Sequence, residues 1–214
     1  MMKAADAHRH CIGHCGSCRP MWAKQYSCRL RVLRHRLVSC KTDQASGSSG
    51  KPEARDVRAV PVRFITVSKA NSAAAVAMTE EWISKCKRYS PVTEVVVRPN
   101  PKKAASVAAA VAAEGEKVRA ALAPGDFVVL LDERGREVSS EGMARLIAAA
   151  GDRSASSLVF CIGGPHGHSP LVRARATDCI RLSAMVLNHQ VAYVVLAEQV
   201  YRGWTILRGE PYHH

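Results

Sequence analysis

From residue 60 onward, short runs of β-branched and other apolar residues alternate with longer segments in which apolar residues recur at helical spacing. The runs at 62–67, 92–98, 126–132 and 157–162 predict four β-strands. The third run is apolar at nearly every position, which is typical of a strand that is buried on both faces.

The segments between and after these runs predict helices. Residues 71–89 and the Ala-rich residues 102–123 have helical spacing, and Ser139 or Ser140 can cap a helix that runs through Ala150. After residue 190, a longer helix carries its apolar residues along one side. The alternation predicts an α/β fold with a mostly parallel sheet and helices on both faces. In such sheets, ligands bind beyond the carboxyl ends of the strands.

The loop CIGGPHGHSP, residues 161–170, follows the fourth predicted strand. It admits four interpretations: a plain turn, a phosphate-binding loop, a metal site or the floor of a cofactor pocket. No Gly-Lys-Ser/Thr follows it and no GxGxxG is present, which argues against a P-loop and a dinucleotide fingerprint. Gly163 and Gly164 permit positive φ and the close approach of a ligand. His166 and His168 have no neighbour at metal-ligand spacing and are interpreted as surface histidines.

Composition and net charge indicate which class of molecule the chain binds. The 214-residue chain is 47% hydrophobic, which is enough for a core, and carries a formal net charge of +13. No apolar run approaches the length of a membrane span. Residues 1–59 hold 12 Lys and Arg against 4 Asp and Glu, so the basic excess is concentrated at the front. This balance indicates an acidic partner such as nucleic acid.

Residues 1–58 have the features of an organellar transit peptide. Segment 28–40 places leucines on one helical face and arginines on the other, and a Ser/Gly-rich stretch follows at 44–54. The alternative is a basic arm that helps to hold RNA. The compartment is predicted to be the chloroplast, with the mitochondrion as the alternative.

Five of the eight cysteines lie in this front segment. The cluster HRHCIGHCGSC at 8–18 contains residues that bind zinc, but no second CxxC accompanies it, so a removable leader is favoured over a zinc site. Cys86, Cys161 and Cys179 lie in apolar patterns and predict buried free thiols. Neither a disulfide nor a metal site is predicted.

Four motifs near the C-terminus, IGGPHG, RLSAMVLNH, LAEQVYRGWTI and PYHH, occur in this order within residues 162–214. Together they closely resemble the ribosomal RNA large subunit methyltransferase H family, which belongs to the SPOUT class of S-adenosylmethionine-dependent RNA methyltransferases. The resemblance covers residues 60–214. It implies a methyltransferase domain there, with a C-terminal trefoil knot and a homodimeric assembly.

The resemblance also implies that three loops hold S-adenosylmethionine. The matching positions are Leu131, Gly163, Gly164, Leu182, Ser183, Ala184, Met185, Val186 and Leu187. Glycines are expected where the cofactor lies against main chain, since side chains would collide with it there. Among the interpretations of the loop at 161–170, the resemblance therefore favours the cofactor pocket.

The acceptor implied by the resemblance is N3 of a pseudouridine in large-subunit rRNA, presented as free rRNA or as the assembled ribosome. Methyl transfer is an in-line displacement that depends mainly on positioning, and the acceptor N–H must lose its proton. Arg202, Tyr212 and His213 match positions near the family's pocket, some of them contributed across the dimer. Arg202 is predicted to orient or polarise the base while the other two close over it. The alternatives are that Arg202 forms a helix-end salt bridge, that Tyr212 packs in an interface and that His213 belongs to a free terminus.

Two positions depart from the family pattern. His166 stands where Glu is usual, which removes a negative charge beside the cofactor loop. Asn188 stands where Pro is usual, which loosens the turn before the last helix. A non-catalytic, knotted RNA-binding or ribosome-assembly factor is the alternative function. A nucleotide-binding enzyme unrelated to RNA is disfavoured by the missing phosphate motifs.

Overall fold

The structure is a computed structural model that describes residues 56–69, 71–99 and 105–211. Most of the predicted leader lies outside the described residues, and so do Tyr212 and His213. The described ranges contain five strands: β1 Val62–Val67, β2 Val92–Val97, β3 Phe127–Glu137, β4 Leu158–Ile162 and β5 Asp178–Arg181. They form one sheet in the order β2-β1-β4-β3-β5, and all neighbouring strands are parallel.

Five helices connect and follow these strands: α1 Ala73–Cys86, α2 Val107–Ala120, α3 Ser140–Asp152, α4 Pro170–Arg175 and α5 His189–Arg208. A polar side chain caps the start of each by accepting a hydrogen bond from a main-chain N–H; the caps are Ser72, Ser106, Ser139, Ser169 and Asn188. Ser139 is thus the cap of α3, one of the two predicted alternatives. Asn188 is the N-cap of α5. The residue at which the resembled family usually has Pro therefore still stabilises the start of the last helix.

Helices cover both faces of the sheet because successive strand residues point to opposite sides. On β4, Leu158 and Phe160 join the larger core, which also holds residues of α1, α3 and α5. Val159 and Cys161 join the smaller core, which holds residues of α2 and α4. The predicted α/β class, with a mostly parallel sheet and helices on both faces, is confirmed. The trefoil knot stays a prediction.

The last helix, α5, anchors the larger core. Leu196, Val200 and Trp204 on one side of it are fully buried. Gly203 allows close packing against α3, since a Cβ there would lie 2.8 Å from Cδ1 of Ile147. Within the described residues, no helix is both long enough and apolar enough to cross a bilayer.

The cysteine predictions are confirmed for Cys86 and Cys161, which are buried and free, whereas Cys179 is partly exposed. Burial raises the pKa of both buried thiols to about 12, so they stay protonated at neutral pH.

The sequence prediction missed two short elements and half of a third. Neither α4 nor β5 was predicted, and β3 continues to Glu137 instead of ending at residue 132. The extension pairs with β5 after a shift of register between Leu131 and Arg136. Gly135 lies in this extension, where a Cβ would come within 2.4 Å of the main-chain carbon of Ile180. These additions build the edge of the sheet at which the candidate site lies.

Candidate functional site

A cleft of about 610 Å³ lies at the carboxyl ends of β4 and β5, beside the middle of β3. Three segments supply most of its lining, together with Arg173 and Ala192: 131–134 within β3, 162–167 at the end of β4, and 180–189 from β5 to the start of α5. This is the edge of a parallel sheet at which ligands are expected. Its volume lies in the range of about 300–1,000 Å³ that is common for small-molecule sites.

Eight of the nine predicted cofactor-binding residues line this one cleft. They are Leu131, Gly163, Gly164, Leu182, Ser183, Met185, Val186 and Leu187. Ala184 is exposed and is not part of the lining. Met185 and Val186 are 74% and 80% exposed, so two large apolar side chains lie open at the cleft. Exposed apolar groups beside a concave surface are typical of binding sites.

The glycine loop closes as a tight turn. The Gly167 N–H donates to the Gly164 carbonyl at 2.9 Å, and Pro165 occupies the second position, which its fixed φ favours. Positive φ falls on Gly167, at +76°, and not on Gly163 or Gly164.

The structure gives a different reason for Gly163 and Gly164 than collision with a ligand. A Cβ on Gly163 would lie 3.0 Å from the main-chain carbon of Gly167, inside the turn. A Cβ on Gly164 would lie 3.2 Å from Oε2 of Glu114 and 3.3 Å from Cγ1 of Val67. Glycine at both positions therefore relieves close contacts within the protein where its main chain borders the cleft.

His168 is buried, with 8% of its surface exposed, so its interpretation as a surface histidine was wrong, whereas His166 is exposed as predicted. The ring Nε2 of His168 lies 3.0 Å from the carbonyl oxygen of Leu131. Burial lowers the pKa of His168, and the Arg173 guanidinium lowers it further. The ring is therefore neutral at pH 7.

An ion pair links α4, which follows the glycine loop, to β3. The Arg173 guanidinium donates to the carboxylate of Asp132, whose side chain is 7% exposed. Burial alone would raise the pKa of Asp132, but hydrogen bonds from the Arg134 N–H and from Arg173 lower it overall. Asp132 is therefore a carboxylate at neutral pH. Both partners line the cleft.

Two further arginines lie along the β3–β5 edge, each paired with a carboxylate. Arg136 contacts Asp178 at 2.6 Å, and Arg181 contacts Glu137 at 2.7 Å. Cations and carboxylates therefore alternate along this margin of the cleft. Such pairs on an exposed surface are weak, and their guanidinium groups can exchange a carboxylate for another anion.

The cleft also holds polar atoms that lack a partner. Nε of Arg181 and Nε2 of His189 are buried and have no hydrogen-bond partner within the protein, and both residues line the cleft. Unsatisfied buried polar atoms are uncommon and often mark a ligand site. A ligand with carboxylate, ribose and adenine groups, such as S-adenosylmethionine, offers partners of both kinds. Volume, exposed main chain and unsatisfied donors thus fit the cofactor that the resemblance implies.

The three predicted catalytic residues do not join this group. Arg202 lies on α5, contacts the carboxylate of Glu198 at 2.9 Å and is not part of the cleft lining of its own chain. Tyr212 and His213 lie outside the described residues. The catalytic roles of all three stay predictions.

Sequence reasoning assigned no role at the cleft to Asp132, Arg173 and Arg181, and it took His168 for a surface histidine. Asp132 directly follows the apolar run in β3, a signal that marks it as a residue at the carboxyl edge of the sheet. The others carried no such signal, because α4 and β5 were not predicted. Within the described ranges, no three His, Cys, Asp or Glu side chains are placed to hold a metal ion.

Comparison with known proteins gives consistent results. The family described as "Predicted SPOUT methyltransferase" matches residues 60–213. A candidate RNA methyltransferase of Arabidopsis thaliana is 47% identical over 173 residues, 81% of this chain and 90% of that protein. A ribosomal RNA large subunit methyltransferase H of Porphyromonas gingivalis is 41% identical over 153 residues, 71% of this chain and 97% of that protein.

Among solved structures, the SpoU methyltransferase AviRb from Streptomyces viridochromogenes, in complex with the cofactor AdoMet, matches with a TM-score of 0.35 and 16% identity. The match covers 74% of this chain and 62% of that one, a likeness too remote to add to the assignment. The sequence matches suffice by themselves. The chain therefore belongs to the SPOUT methyltransferase family and, within it, groups with the ribosomal RNA large subunit methyltransferase H proteins.

Proposed function

We propose that this chain transfers a methyl group from S-adenosylmethionine to N3 of a pseudouridine in large-subunit rRNA. The names of its bacterial relatives support a large-subunit rRNA substrate. The net charge of +13 supports an acidic partner. The observation that carries the proposal is the convergence of three separate loops, predicted from sequence to bind the cofactor, on one cleft at the carboxyl edge of the sheet.

When bound, S-adenosylmethionine supplies an electrophilic methyl group on a sulfonium. The chain's own contribution is to bind S-adenosylmethionine and to orient its methyl group toward the acceptor. Main chain at Leu131, at Gly163–Gly164 and at 182–187 frames the cleft, while Met185 and Val186 offer apolar surface for a planar base. Catalysis of a displacement by alignment requires this kind of rigid frame.

Arg202 is proposed to polarise the acceptor base and to favour loss of its imide proton, as a fixed positive charge does. It does not line the cleft of its own chain. We therefore propose that the active unit is a homodimer in which α5 of one protomer completes the cleft of its partner. Exposed Met185, Val186 and Val191 near the start of α5 support a partner surface there, since large apolar side chains favour burial.

The experiment is methyl transfer by the full chain from tritiated S-adenosylmethionine to a large-subunit rRNA stem-loop. Three matched RNAs carry pseudouridine, uridine or N3-methylpseudouridine at the target position, and intact subunits form a fourth substrate. Incorporation into the pseudouridine RNA or subunit alone is expected. Transfer to the uridine RNA at equal rate would contradict the requirement for pseudouridine, and transfer to the N3-methylpseudouridine RNA would contradict N3 as the acceptor atom. RNA binding without cofactor binding or transfer would favour the non-catalytic assembly factor.

We also propose that residues 1–58 direct the protein to an organelle, the chloroplast first and the mitochondrion second. The Arg-rich composition of this segment and its Ser/Gly-rich end support the proposal. A fluorescent fusion carrying residues 1–58 tests it, with a fusion in which the arginines of 29–36 are replaced by glutamate as the control. Cytosolic fluorescence of the unaltered fusion would contradict it.

A further inference from the structure

We propose that His168 is a positioning residue for the cofactor cleft: its ring holds the main chain at Leu131 in the orientation that the donor requires. The inference rests on the proposed function, since it concerns the same cleft. His168 does not line the cleft itself, whereas Leu131 does. It therefore acts through another residue and touches no reacting atom.

The donor and the acceptor in the contact between His168 and Leu131 can be assigned. A carbonyl oxygen can only accept, so Nε2 of His168, 3.0 Å from the Leu131 oxygen, must carry the ring proton. With 8% of its surface exposed, the residue has few other positions to adopt. Because a peptide unit is planar, holding the Leu131 carbonyl also fixes the direction of the Asp132 N–H.

A second link runs between the same segments. Nε of Arg173 donates to the His168 carbonyl at 3.3 Å, while another nitrogen of its guanidinium pairs with Asp132. The glycine loop and α4 are thus tied to β3 twice: the His168 imidazole donates to the Leu131 carbonyl, and the Arg173 guanidinium donates to the Asp132 carboxylate. Two cross-links of different chemistry restrict both the separation and the relative rotation of these segments. This is the structural condition for a cleft that is formed before the ligand arrives.

The surroundings keep the imidazole in its donor form. The charged groups that act on the ring are Arg173 and Asp132, of opposite sign, and burial favours the neutral state. A neutral ring with its proton on Nε2 needs no counter-ion, and the Leu131 oxygen satisfies that donor. The contact is therefore a stable feature at neutral pH.

The test uses calorimetric titration of the full chain with S-adenosylhomocysteine. His168→Leu removes the donor at similar volume, and His168→Gln retains an N–H donor. Ser157→Ala is the matched control, because it removes a buried hydrogen bond of 2.7 Å to Asp126 at the opposite end of β4. We expect roughly 5- to 30-fold weaker binding for the Leu variant. The Gln variant is expected to recover most of the affinity, and Ser157→Ala to lose thermal stability without losing affinity.

The outcomes separate this inference from the function itself. No binding by the unaltered chain would overturn the cofactor assignment and this inference with it. Equal affinity in the unaltered chain and His168→Leu would overturn the inference and leave the function intact, as would a Leu variant that loses only stability. If His168→Leu fails to fold, imidazole ¹⁵N spectra of the unaltered chain decide. A proton on Nε2 whose signal shifts with S-adenosylhomocysteine supports the role, and an unshifted signal or a proton on Nδ1 overturns it.

Discussion

Both ends of the sheet carry charged and polar side chains, but these side chains differ in the hydrogen-bond partners that they have within the protein. At the amino end, the Asp126 carboxylate, only 1% exposed, accepts hydrogen bonds from the Ala123 N–H, the Ser157 hydroxyl and the Arg63 guanidinium. At the carboxyl end, Nε of Arg181 and Nε2 of His189 have no partner within the protein. The Asp126 network at the amino end is satisfied within the protein, although the buried Ser90 hydroxyl before β2 is not. At the carboxyl end, two buried side-chain nitrogens without a partner lie beside an open cleft.

This difference indicates that the amino end of the sheet contributes mainly to stability and that the carboxyl end contributes mainly to ligand binding. A satisfied buried network stabilises the fold and offers nothing to a ligand. Unsatisfied groups and exposed apolar side chains cost stability and are retained where a ligand completes them. The comparison predicts that substitutions at the amino end change unfolding without changing affinity. Substitutions of residues that line the cleft should change affinity more than they change unfolding.

The largest effect is expected for Gly164→Val. A Cβ there would lie 3.2 Å from Oε2 of Glu114 and 3.3 Å from Cγ1 of Val67, and we expect the two further methyl groups of valine to displace the glycine loop. A displacement of about 1 Å in a reacting assembly costs roughly a hundredfold in rate, and we expect at least that loss in methyl transfer. S-Adenosylhomocysteine titration and methyl incorporation measure it.

The matched control for that change is Gly125→Val at the amino end. A Cβ on Gly125 would lie 2.4 Å from Oγ of Ser156, so this site is crowded too. It should lower the melting temperature and leave the affinity of the folded protein unchanged. Equal loss of affinity in the two variants would contradict the division between the ends.

The next largest effect is expected for Asp126→Ala, which leaves the Arg63 guanidinium and the Ser157 hydroxyl without their shared acceptor. Removing one partner of a buried pair costs roughly 3 kcal/mol in the free energy of unfolding. Urea denaturation measures it, and cofactor affinity under native conditions should change by less than about twofold. Glu81→Ala, which removes an exposed ion pair with Lys85, is the control and should cost less than about 0.5 kcal/mol.

Arg202→Ala is expected to reduce turnover about a hundredfold, as loss of one charge-stabilising group does, with little change in cofactor affinity. Arg202 lies on α5 and does not line the cleft of its own chain. A mixed dimer therefore sharpens the test. Arg202→Ala in one protomer and Gly164→Val in the other should restore part of the activity if α5 completes the partner's cleft. No restoration in mixed dimers, with equal loss of turnover and affinity in Arg202→Ala alone, would contradict the proposed role.

Sequence reasoning located the fold and the cleft to different degrees. The β-branched run of β1 was predicted with the bounds that the structure has, and the glycine loop was placed at the end of β4. The helix α4 and the strand β5 were missed, because six residues are fewer than two helical turns and four residues give few alternations. The polar second half of β3 was missed because its pairing depends on β5, which is a tertiary effect.

The cleft shows the same limit at the level of single residues. Eight residues that line the cleft were named from motif resemblance, which requires no knowledge of contacts, and their role in holding the cofactor stays a prediction. His168 could not be assigned this way, because its burial depends on where Leu131 lies, 37 positions earlier in the chain. Contacts between residues that are distant in sequence produce no periodic pattern in the sequence.

The smallest effect is a pH dependence that belongs to the carboxyl end. Burial lowers the folded-state pKa of His168 below its ordinary value of 6.5. Below about pH 6.5 the unfolded chain therefore binds a proton that the folded chain resists, so the free energy of unfolding falls as pH falls through this window. The depressed pKa values of Asp132 and Glu141 act only below their ordinary values of 3.8 and 4.5. Urea titrations between pH 7 and pH 5 thus isolate the histidine contribution. His168→Gln should reduce the slope, while His166→Gln, on the exposed side of the same loop, should retain it; an unchanged slope in His168→Gln would show that the ring is not held neutral against the Leu131 carbonyl.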